Sequence, residues 1–132
     1  MKMEKLVCSV GLAQKLYELG CTQDSAFHWF DSNDGWVLIA DKNGFHGSFD
    51  TYAAFTAVEA LELLPKEIKF KADEESSYFC ELQIHRTEEN WWVSYGFIGY
   101  VYHEEFDSPN LASAAVRMII HLVENKLMEV PE

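Results

Sequence analysis

Five histidines and three cysteines are the residues of this 132-residue sequence whose types could hold a metal or serve a nucleophile. A zinc site needs three or four ligands converging at about 2 Å, and sequences that build one usually carry H-x-x-x-H, H-E-x-x-H or paired C-x-x-C spacing. His28, His46, His85, His103 and His121 follow none of these, and Cys8, Cys21 and Cys80 contain no close pair. His28, His85 and His103 fall in strand-like runs that could be neighbours in one sheet, but no spacing places them there in advance. An odd set of cysteines gives no disulfide framework, so buried, reduced thiols are expected. Only Cys8, just ahead of a predicted helix start, approaches the setting that activates a thiol. The acidic clusters do not make a calcium loop either. Counting from Asp31, the sixth position is Trp36 and the twelfth Lys42, where such a loop needs Gly and Glu; counting from Asp41, the sixth is His46. No nucleophile elbow, P-loop or dinucleotide fingerprint is present. Glu104, Glu105 and Asp107 read as solvated loop carboxylates rather than a catalytic pair held at fixed separation. The sequence therefore names no catalytic residue, no metal and no cofactor.

Charge and aromatic content say more. Ten Lys and Arg against 22 Asp and Glu give a net charge of −12, which repels nucleic-acid phosphates and anionic membranes. The one basic stretch, Lys66 to Lys71, runs straight into Asp73-Glu74-Glu75 and reads as a strand edge guarded by lysines. Apolar runs such as Met118-Ile119-Ile120 are far too short to span a bilayer, and no signal-like segment follows Met1, so a cytoplasmic protein is expected. Trp91, Trp92, Tyr95, Phe97, Tyr100 and Tyr102 crowd a twelve-residue window. Strand alternation cannot send them all to one side. With Trp91 and Tyr95 facing the core, Trp92 lies on the opposite face, where an aromatic beside acids suits a protein interface. Trp92, Tyr100, Tyr102 and His85 are the candidate contact residues, for a partner protein or for self-association as a homodimer.

The elements that must position these residues are legible from caps and periodicity. Ser9 caps a helix over residues 10–19, with Leu12, Leu16 and Leu19 on one face and Gly20 as its stop. Residues 26–30 and 36–40 form a hairpin around the turn formers Asp31 to Gly35, and Phe45 to Asp50 is either a short extended return or a loop. Thr56 and Glu59 form a capping box ahead of a short helix that buries Val58, Leu61 and Leu64 and stops at Pro65. Alternation then runs from Ile68 to His85, with Phe79, Glu81, Gln83 and His85 on its polar side. A turn at residues 87–90 leads into a strand over Trp91 to Phe97, and residues 98–103 add another. Ser108 and Pro109 begin the longest helix, whose buried stripe is Leu111, Ala115, Ile119, Leu122 and Val123, while Asn110, Ser113, Arg117, His121 and Glu124 face water. The order α-β-β-α-β-β-β-α predicts an α+β fold in one domain spanning residues 1–132: an antiparallel sheet of about five strands with helices packed on one face.

Leu19-Gly20, Gln23-Asp24-Ser25, Phe27 with Trp29, Leu64-Pro65, and Ala114-Ala115 through Met118 and Leu122 to Glu124-Asn125-Lys126 together resemble small uncharacterised phage and prophage proteins. The similarity spans most of the chain but not Phe97 to Asp107. It implies a mobile-element origin and a compact α+β fold, and it supplies no activity or catalytic residue. The expected function is thus a non-enzymatic accessory protein of a phage or mobile element that acts through protein contacts. Two alternatives stand beside it. One is an acidic decoy occupying the basic surface of a nucleic-acid-binding protein; the other is a small enzyme using histidine with cysteine or glutamate from the sheet face.

Overall fold

In the computed structural model, residues 2–40, 51–71, 77–97 and 100–132 are described, without the side chains of 70–71, 77–78, 97 and 100–104. The segment from Phe45 to Asp50 lies outside the described residues. After a 3-10 turn at Met3–Lys5, helix α1 spans Val10–Glu18. The Ser9 hydroxyl accepts the Leu12 amide at 3.4 Å, as its cap role requires. The far end closes as a Schellman motif: Cys21 N–H donates to the Leu16 carbonyl, Gly20 N–H to that of Tyr17, and Gly20 sits at φ 84°, where a side chain would be strained.

Strands β1 (His28–Asp31) and β2 (Trp36–Ile39) form the expected hairpin. Its turn uses left-handed conformations at Asn33 and Gly35, and Ser32 N–H and its hydroxyl both donate to the Gly35 carbonyl. Strand β3 (Thr51–Ala53) pairs with the other edge of β1, giving a three-stranded antiparallel sheet ordered β2-β1-β3. Helix α2 spans Ala57–Leu63 behind the expected capping box, with the Thr56 hydroxyl on Glu59 N–H and the Glu59 carboxylate on Thr56 N–H. Leu64 is buried and Leu61 packs partly against the core, as expected, but Val58 does not join them. Ala60 and Leu64 are enclosed, one helical turn apart, whereas Val58 is 66% exposed because it stands about 100° away from that stripe for each residue of offset.

Four more strands follow: β4 (Glu67–Lys71), β5 (Ser77–Arg86), β6 (Trp91–Phe97) and β7 (Tyr100–Ser108), an antiparallel meander in chain order. Strand β7 is longer than alternation indicated. Glu105 and Asp107 lie in it, opposite Ser94 and Trp92, rather than in a loop. A register shift between Ser94 and Gly96 absorbs the irregularity that two nearby glycines foreshadow. The fold is therefore α+β with antiparallel pairing, as expected, and its seven described strands divide into sheets of three and four. The division depends on which strands pair at long range, which periodicity does not encode.

Helix α3 (Leu111–Glu124) is the centre of the molecule. Its N-cap is Asn110, whose Oδ1 accepts Ser113 N–H at 3.1 Å, while Ser108 supports the cap from outside by accepting Asn110 N–H at 3.1 Å. Nine of its fourteen residues are buried, so the helix is enclosed well beyond one stripe. Ser113, expected on the wet side, is 8% exposed because its hydroxyl accepts Ser9 N–H from the start of α1. Val93 and Tyr95 on the inner face of the four-stranded sheet, Leu16 of α1 and Met118, Ile119 and Leu122 of α3 join one core. Among the described residues, no helix is long and apolar enough to cross a membrane.

Candidate functional site

The register of the four-stranded sheet sorts its residues into two faces. Ile68, Cys80, Leu82, Val93 and Tyr95 point toward the core, together with the partly buried Phe106. The alternate positions make an outer face in cross-strand rows. One row is His85, Trp92 and Asp107; the next is Gln83, Ser94 and Glu105; a third brings Glu81 to Gly96; and Lys69 opposes Phe79. His85 and Trp92 stack with ring centroids 5.9 Å apart and planes 2° from parallel. The indole N–H donates to the Thr87 hydroxyl at 3.3 Å, which fixes the ring against the hairpin turn. Asp107 accepts Asn90 Nδ2–H at 2.7 Å, so that row is anchored at both ends.

Two of the four expected contact residues, His85 and Trp92, are thus brought together on the outer face. Tyr100 and Tyr102 have their backbones in β7, but their side chains lie outside the described residues, as does that of His103. Phe79 belongs to the same face and is 56% exposed, a contact candidate not singled out from the sequence. The signal was present: it is the one large apolar side chain on the polar side of the alternating run. Six residues separate Phe79 from His85, so the face extends about 20 Å along β5. Among the described side chains it carries Glu67, Glu81, Glu105 and Asp107 against Lys69 as a permanent cation. Ser94, at its middle, is fully enclosed and its hydroxyl has no hydrogen-bond partner among the described residues.

Among the described residues, the other chemistry-bearing side chains do not assemble into a reactive centre. His28 sits on β1 and His85 on β5, in different sheets. His28 Nε2 is 2.9 Å from the Gln23 carbonyl oxygen, and its Nδ1 is buried without a partner among the described residues. His46 lies outside the described residues. No group of three His, Cys, Asp or Glu side chains among the described residues could hold a metal. Cys8, Cys21 and Cys80 are buried and free. Burial pushes the Cys8 thiol up to about 12, outweighing the Phe55 and Cys8 backbone hydrogen bonds, and nearby Glu59 adds to the rise, so Cys8 is a packed thiol and not a nucleophile. Burial raises Cys21 and Cys80 as well. Tyr95 is likewise raised by burial, with its hydroxyl donating to the Pro65 carbonyl at 2.6 Å.

Described residues elsewhere line further recesses, two of which hold charged side chains. One of about 390 Å³ lies at the start of α3, where Arg86 lies over the Trp91 ring at 5.1 Å and Lys5 also lines the recess. The other, of about 350 Å³, lies between α1, β7 and α3. Comparison of the chain with protein-family models, with curated proteins and with solved structures finds no match.

Proposed function

We propose that this is a non-enzymatic protein-binding protein, and that the outer face of the four-stranded sheet is where its partner docks. The observation that carries this reading is the pairing of exposed Phe79 with the His85–Trp92 stack on one acid-rimmed face, opposite the face that packs on α3. An aromatic anchor already held by a stack and a hydrogen bond loses little side-chain freedom on binding, and such anchors carry most of the energy in protein interfaces. The carboxylates at Glu81, Glu105 and Asp107 favour a partner with a lysine- or arginine-rich surface and speed its approach. Free, buried thiols fit a reducing compartment such as the cytoplasm. A phage or mobile-element origin, which the sequence resemblance implies, makes a host protein the natural partner.

The test is affinity capture from a host lysate at low and moderate salt, followed by titration of the captured partner. Trp92→Ala is expected to weaken binding at least about tenfold, because indole anchors rank among the costliest interface truncations. Glu81→Lys with Glu105→Lys should slow association and flatten its salt dependence. A partner held equally by wild type and Trp92→Ala would remove this face from the interaction. The net charge of −12 also favours a second reading, an acidic decoy of a nucleic-acid-binding protein. In that case the captured partner binds DNA or RNA, and nucleic acid displaces it from this protein.

A further inference from the structure

The cleft between α1, β7 and α3 has a composition at odds with the rest of the molecule. Its floor is apolar, made by Leu12 from α1, Phe106 from β7 and Ile120 from α3. Its rim carries Lys15, Arg117, His121 and Glu124. Lys15 and Glu124 face each other at 3.5 Å and cancel locally. Arg117 has no acidic partner within 4 Å among the described residues; one guanidinium N–H donates to the Asp107 backbone carbonyl at 3.3 Å, which steadies the group without neutralising it. The His121 ring tilts against Phe106 at 5.5 Å, and its Nδ1 is 3.2 Å from the Asn125 amide nitrogen. Among the described side chains the rim is therefore cationic on balance, with Arg117 in excess, while the whole chain is at −12.

From this combination we infer that the cleft binds a small carboxylate with an apolar body, its tail on Leu12, Phe106 and Ile120 and its headgroup on Arg117. A planar guanidinium can meet a carboxylate with two parallel N–H···O bonds, a geometry that a cation or an alcohol does not reproduce. The volume of about 350 Å³ lies near the lower end of the roughly 300–1,000 Å³ range of small-molecule sites, which suits a body of about eight carbons. The binding is independent of the outer sheet face, since Phe106 belongs to the inner side of the sheet and the other lining residues to helices.

Octanoate is the probe, followed by amide chemical-shift mapping of the intact protein, with octylammonium and 1-octanol as controls. Saturable shifts clustered at residues 12–15, 106 and 117–121 with octanoate, and at least about tenfold weaker binding for both controls, are the expected result. Arg117→Gln, at an exposed position, should keep the wild-type spectrum elsewhere and weaken octanoate by about tenfold. Absence of shifts at millimolar octanoate, equal binding of octylammonium, shifts scattered over other apolar surface, or undiminished binding by Arg117→Gln would each overturn the assignment.

Discussion

Ile119→Ala is expected to lower the unfolding free energy by about 4 kcal/mol, because removing a buried branched side chain loses its transfer energy and leaves a cavity that rigid neighbours fill only in part. Ile119 is fully enclosed on the helix around which α1, α2 and the four-stranded sheet pack, so relaxation from one side would strain contacts on another. Urea denaturation should show a lower midpoint with an unchanged slope, and the melting temperature should fall on the order of 10–15 °C. A loss below about 1.5 kcal/mol would mean that the core collapses around the gap.

The second large effect is expected at Glu59. One carboxylate oxygen accepts both Thr56 N–H and the Ser25 hydroxyl at 2.9 Å, and the other accepts Ala26 N–H at 3.0 Å. A single side chain thus caps α2 and holds the segment entering β1. Glu59→Ala removes the acceptor for two backbone donors at once and should cost about 3 kcal/mol; the Ser25 hydroxyl keeps the Ala54 carbonyl as a fallback at 3.3 Å. Burial pushes the Glu59 carboxyl up, but the Thr56 and Ala26 amides and the Ser25 and Thr56 side chains together hold it below its ordinary value of 4.5. A depressed folded-state value means the unfolded chain takes up the proton first. The charge-dependent stabilisation is therefore complete above about pH 4.5 and fades as pH falls through the lower folded value. Glu59→Gln should cost about 1–2 kcal/mol at neutral pH and should approach the wild type in stability as the solution is acidified. Denaturant midpoints at pH 7 and pH 3.5 check both magnitude and sign. A constant gap between the two proteins would show that the charge does no more than an amide.

What could be read in advance follows from range. Ser9, the Asp31 to Gly35 turn and the Thr56–Glu59 box act over a few residues, and each appears where its chemistry placed it. The other half of the Glu59 role was not legible, because Ser25 and Ala26 lie 34 and 33 residues away. The same reason hid the split into two sheets, the burial of Ser113 and the exposure of Val58. For the candidate site, alternation put Trp92 opposite Tyr95, while its place beside His85 is set by the β5–β6 register. It also puts Phe79 on the polar side of β5 with His85, but alternation gives a face and not an exposure, so alternation alone does not mark that ring as open. The cleft under Arg117 is assembled from three elements distant in sequence, and no local pattern announces it.

The bonds between Asn110 Nδ2 and the Val7 carbonyl at 2.7 Å, and between Ser9 N–H and the Ser113 hydroxyl at 3.2 Å, join residues 103 and 104 positions apart. They make α3 a keystone that arrives after every strand it must support. During synthesis the hairpins can form early, but the apolar side of the four-stranded sheet waits for α3 to emerge before it is covered. That interval is when a nascent chain is open to chaperones and proteases. A released fragment ending at residue 109 should accordingly be cut rapidly by protease, whereas the 132-residue chain should resist.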